Sequence, residues 1–64
     1  MKSVAERVKE ARVSRGLTVE AVATGCGVSV SAVLMYESGA RVPRDSIKIE
    51  MAKFFGMTVQ DLFF

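Results

Sequence analysis

Residues 18–39 read Thr18-Val-Glu-Ala-Val-Ala-Thr-Gly-Cys-Gly-Val-Ser-Val-Ser-Ala-Val-Leu-Met-Tyr-Glu-Ser-Gly39, and this stretch decides the fold. It spells a short helix, a glycine turn and a second helix. Thr18 and Ser29 stand where a hydroxyl accepts from the unpaired N–H groups of a helix's first turn. Gly27 stands where a helix must end in a left-handed residue, a conformation that a Cβ penalises. Ala23 is small enough to let the second helix cross closely, and Val22, Val28, Val33 and Tyr36 supply apolar contact. The stretch therefore predicts two helices that cross over a tight turn.

Working outward, Ser3-x-x-Glu6 is a capping box and predicts a first helix from about Val4 to Arg15. Val4, Val8 and Ala11 recur along one face of it. Gly16 ends that helix and Leu17 returns to the core. The second helix is expected over about 19–25 and the third over 30–38, closed by Gly39. Residues 39–43, Gly-Ala-Arg-Val-Pro, form a loop because proline neither continues a helix nor lets its predecessor do so. A fourth helix is expected from about Arg44 to Phe55, with Gly56 as its stop. Thr58-x-x-Asp61 predicts a last helical turn that ends in Phe63-Phe64. There is no strand signal, repeat or linker, so the expectation is one all-α domain of five short helices over residues 1–64.

The composition narrows the function. Half of the 64 residues are hydrophobic, which suits a packed core, and no apolar run approaches the ~18 residues of a membrane span. The start Met-Lys-Ser-Val-Ala-Glu-Arg lacks the apolar core of a secretory signal, so the cytoplasm is the expected location. Cys26 is the single cysteine and there is no histidine, so neither an internal disulfide nor an ordinary zinc set is expected. Cys26 reads as a small buried hydrophobe at a helix end. With no base beside it, and with carboxylates scattered over separate helices, no catalytic role is expected and no cofactor is implied. Gly25-x-Gly27 is too short for a phosphate loop. The net charge of +2 is only mildly basic. Its distribution says more: residues 21–36 carry no charge, and the basic residues lie on either side of them.

Arg12, Gly16-Leu17-Thr18, Val22-Ala23, Gly27-Val28-Ser29, Tyr36-Glu37-Ser38-Gly39, Pro43 and Ala52…Gly56 fall in order at one family's spacing. In these residues the chain resembles the helix-turn-helix domains of the Cro and lambda/434 repressor type, also called the xenobiotic-response-element family. The resemblance covers nearly the whole chain and puts the helix-turn-helix at about residues 18–38. It implies sequence-specific binding of double-stranded DNA by a transcriptional regulator acting as a homodimer, with the third helix in the major groove. Val30, Ser31, Leu34 and Met35 occupy the family's base-facing positions. Arg41, Arg44, Ser38, Gly39 and Arg12 are implied near phosphates, and Arg12 with Glu37 is implied as a structural ion pair. Leu62, Phe63 and Phe64 concentrate apolar area at the C-terminal end and are the candidate dimer contacts; the alternative is that Leu62 and one of the two phenylalanines close the core of the single chain.

The chain departs from the family where bases are read. Relatives commonly carry Gln, Arg, Lys, Asn or Thr at positions where this chain has Val30, Ser31, Leu34 and Met35, and Val19 replaces a usual phosphate-binding Gln. Two further readings therefore stand beside DNA binding. In one, the same face binds a protein partner, as in an antirepressor. In the other, the sequence is an altered variant that keeps the fold and has lost DNA binding.

Overall fold

The computed structural model describes residues 2–64, which form five helices and no strand. They are α1 (Val4–Val13), α2 (Val19–Cys26), α3 (Val30–Ser38), α4 (Asp45–Phe55) and α5 (Val59–Phe63). Each start has a local cause. Ser3 Oγ accepts from the Glu6 N–H, Thr18 Oγ1 from Ala21, Ser29 Oγ from Ala32 and Thr58 Oγ1 from Asp61. Each hydroxyl satisfies one of the N–H groups that a first turn leaves without a partner. Helix α4 is the exception. Its N-cap residue, Arg44, makes no side-chain cap bond, so α4 begins at Asp45 and not at Arg44.

The ends of the helices also correct the expected spans. Helix α1 stops at Val13, and residues 14–16 form a turn in which the Arg15 and Gly16 N–H groups bond Arg12 O and Val13 O. Helix α2 runs one residue further than expected, to Cys26. Gly27 then turns left-handed at φ 71°, and the Val28 N–H reaches back to Ala23 O.

Helices α2 and α3 meet at 109°, within the range of a helix-turn-helix pair. Helix α1 packs against α3 and α5, and α4 packs against α2 and α5. Between them lies one apolar core, with Val8, Val22, Val33, Met51 and Leu62 at its centre. Among the described residues no polar or charged residue is buried in it.

Gly25, set aside in the sequence as a failed phosphate loop, has a packing role: the ring of Phe54 lies where a Cβ at position 25 would stand. That contact lets α4 approach α2 closely. Among the described residues no single helix is long and apolar enough to cross a membrane.

The C-terminal expectation needs correction. Of the two readings, Leu62 and Phe63 follow the one that closes the core and not the dimer surface, since both are buried within the chain. The reason is geometric. Helix α5 lies along α1 and α4, and residues 62 and 63 fall on the side that faces them. Phe64 alone of the three is exposed, at 75%.

Candidate nucleic-acid interface

Helix α3 has two faces with different tasks. Val33 and Tyr36 point inward and are buried. Val30, Ser31, Leu34, Met35 and Ser38 point outward and are exposed. Leu34 keeps 52% of its surface and Met35 42%, high values for large apolar side chains in a domain with a well-filled core.

The polar groups of α3 are mostly committed to the fold. Ser29 Oγ caps the helix. Ser38 Oγ donates to Met35 O at 3.1 Å and accepts from the Ala40 N–H at 3.3 Å. Glu37 is turned toward α1. Among the described residues, Ser31 is left as the one outward side chain of α3 with an uncommitted polar group.

The orientation of α3 is held by an ion pair. Arg12 Nε donates to Glu37 Oε2 at 2.7 Å, and Arg12 Nη2 donates to Glu37 Oε1 at 3.0 Å. This is a two-pronged bond between α1 and the end of α3. Arg12 Nη1 also donates to Leu17 O at 3.0 Å, which ties the turn before α2 into the same junction. The side chains are 16% and 7% exposed, so the pair is largely sheltered from water. The hydrogen bonding to Glu37, more than any other influence, raises the Arg12 pKa above its ordinary value. With three of its N–H groups spent inside the molecule, Arg12 has little left to offer a phosphate.

The other arginines divide in the same way. Arg15 donates to Phe55 O at 3.1 Å and Ala11 O at 2.9 Å, and its guanidinium lies 5.3 Å from the Phe55 ring centre. Arg7 reaches Asp61 O at 3.5 Å. The side chains of Arg41 and Arg44, by contrast, make no hydrogen bond or ion pair among the described residues, and both residues are exposed. Together with Tyr36, Val42, Ser46 and Ile47 they line an open groove beside the end of α3. The loop that carries them is anchored by the Arg41 N–H, which bonds Met35 O at 3.3 Å, by the left-handed turn at Gly39, and by the buried Pro43.

Arg44 stands out energetically. A cation beside the N-terminus of a helix opposes the positive end of the helix dipole, and at an N-cap a short hydroxyl or amide is the stabilising choice. Four of the five helices make that choice and α4 does not. Local stability is given up at the position where an outward cation borders α3. The first turn of α2 carries the opposite charge, Glu20, which weakens that helix end as an anion site.

What this arrangement can do chemically is limited and specific. It presents an uncharged helix face with two exposed cations at one end, and no candidate metal cluster among the described residues. The one cysteine, Cys26, is buried, and burial followed by the nearby charge of Glu50 pushes its thiol pKa up.

Known proteins match this sequence. A helix-turn-helix family matches residues 8–62. A cryptic phage CTXphi transcriptional repressor, RstR, of Vibrio cholerae is 36% identical over 56 residues, covering 88% of this chain and 50% of that protein. The chain thus spans about half the length of the curated relative it matches.

Proposed function

The chain belongs to the helix-turn-helix family of the Cro and lambda/434 repressor type, and from that membership we propose that residues 1–64 form a single domain that binds double-stranded DNA to regulate transcription. Helix α3 enters the major groove, with Val30, Ser31, Leu34 and Met35 toward base edges. Arg41 and Arg44, with Ser38 and Gly39 beside them, meet the phosphates. The task is binding and not catalysis, and it belongs in the cytoplasm, where the DNA is. The observation that carries this reading is the contrast among the arginines: three are spent inside the fold, and the two beside α3 are held out from it.

A domain measuring 26 × 24 × 23 Å covers one half-site, so regulation through a two-fold operator needs two copies about 34 Å apart. With Leu62 and Phe63 inside the core, the apolar area left for pairing at the C-terminal end of the domain is Phe64 with Ile49, which share a shallow hollow with Val59. Sedimentation of the parent chain and of Phe64→Ser tests this part. A chain that stays monomeric in the presence of its best DNA site rules the pairing out.

The DNA reading itself is tested by anisotropy titrations against random and selected duplexes at several salt concentrations. Two phosphate contacts per subunit make four per dimer, and at about −0.9 each the salt slope is expected near −3.6. A chain that binds no duplex even at low salt overturns the proposal.

A further inference from the structure

We propose that this domain selects its DNA sites through pyrimidine C5-methyl groups, those of thymine above all, and not through hydrogen bonds to base edges; the inference rests on the DNA reading above. The major groove offers a reader two kinds of signal. One is the pattern of donors and acceptors, which bidentate side chains such as Arg, Asn and Gln distinguish. The other is the methyl group of thymine, which apolar side chains contact. The outward face of α3 contains no residue of the first kind. Ser29 and Ser38 have their hydroxyls engaged by the helix's own backbone, and Glu37 is locked to Arg12. The one uncommitted hydroxyl, on Ser31, is a single short group that serves any base.

The second kind of reader is present in force. Val30, Leu34 and Met35 stand side by side on two turns of α3, exposed and free of any covering element. Leaving them in water costs the free domain apolar hydration that a groove lined with methyl groups removes. Met35 has an unbranched, polarizable side chain that adapts to an irregular surface, while Leu34 and Val30 are stiffer and fix position. Their neighbours Arg41 and Arg44 supply attraction to any duplex but carry no sequence information. Selectivity in this chain therefore falls to shape and methyl contact. The preferred sites are A·T-rich, with thymines at the positions that α3 faces. A cytosine methylated at C5 presents the same group in the same place and substitutes for a thymine there.

The experiment uses the full chain and duplexes selected from a random pool. In the best site each thymine is replaced in turn by deoxyuridine, which pairs identically and lacks the methyl. Affinity is expected to fall about fourfold for each contacted methyl removed, the value of one buried methyl-sized group. The salt slope should stay unchanged. Placing 5-methylcytosine at a contacted C·G pair should tighten binding by a similar factor. Leu34→Ala and Met35→Ala, both at exposed positions, should fold normally and lose the difference between thymine and deoxyuridine.

Equal affinity for thymine and deoxyuridine duplexes, with selection over random DNA retained, overturns the inference and leaves the DNA reading standing. A deoxyuridine effect that survives in both alanine variants also overturns it, because the methyl then acts through DNA shape. If no duplex is bound at all, the DNA reading fails and the inference falls with it.

Discussion

The ring of Phe54 covers the backbone of Gly25 so closely that a side chain at position 25 and the ring cannot both keep their places. Gly25 lies in helix α2, so alanine there would ordinarily gain about 1 kcal/mol in helix propensity. Here that gain meets an overpacking cost of about 1–3 kcal/mol.

Gly25→Ala is accordingly expected to lower the melting temperature, even though alanine is the better helix former. In a Phe54→Leu background the same change should be neutral or stabilising. Thermal melts of the four chains check this. A Gly25→Ala chain that melts higher than its parent would show that the ring swings aside at no cost.

Glu37→Ala leaves the sheltered Arg12 charge without its partner. Breaking a buried pair costs about 3–5 kcal/mol, and the residual access of Arg12 to water reduces this to about 2–3 kcal/mol. In a domain of this size the melting point should drop by roughly 10–20 °C. Glu37→Gln keeps an acceptor and should cost less. Matching melts for alanine and parent would mean that water replaces the carboxylate.

Arg44→Ser installs the missing cap on α4 and removes a cation from the positive end of the helix dipole. Stability should rise by about 1 kcal/mol. Affinity should fall for all duplexes alike, and the salt slope should flatten by about 0.9 per subunit. Unchanged DNA binding would remove Arg44 from the phosphate contacts, whatever the melt shows.

Cys26 makes stability depend on pH at the alkaline end. Its folded pKa is raised by burial, so the unfolded thiol gives up its proton first. The stabilising contribution is complete below the ordinary thiol pKa of about 8.5 and is lost as pH rises through the folded value. The parent should therefore lose more stability than Cys26→Ala between about pH 8 and 10, as read by denaturant midpoints. Parallel curves for the two chains would show that the thiol stays protonated in both states.

These outcomes depend on features that differ in how openly the sequence displays them. Ser3, Thr18, Ser29, Thr58 and Gly27 were legible because a cap acts on groups within a few residues of itself. The inward set Val33 and Tyr36 was legible because helical period separates two faces. Leu62 and Phe63 were open between core and dimer surface, since a five-residue helix that ends in apolar residues has too little period to tell inside from outside. Gly25 was not legible, because its partner lies on another helix. Arg12 and Arg41 look alike in sequence. The resemblance pointed to the Arg12–Glu37 pair, but only the fold shows that Arg12 also donates to Leu17 O and that the Arg41 guanidinium has no partner among the described residues.

Val8 near one end of the chain and Leu62 near the other are sealed into the same core, with no water reaching either. A ribosome delivers Val8 long before Leu62, and until α5 emerges α1 has an open flank where residues 62 and 63 belong. The first four helices alone are then an unfinished globule with its apolar interior showing. A chain that lacks residues 62 and 63 leaves that flank unfilled, and is exposed to proteases and not merely weakened.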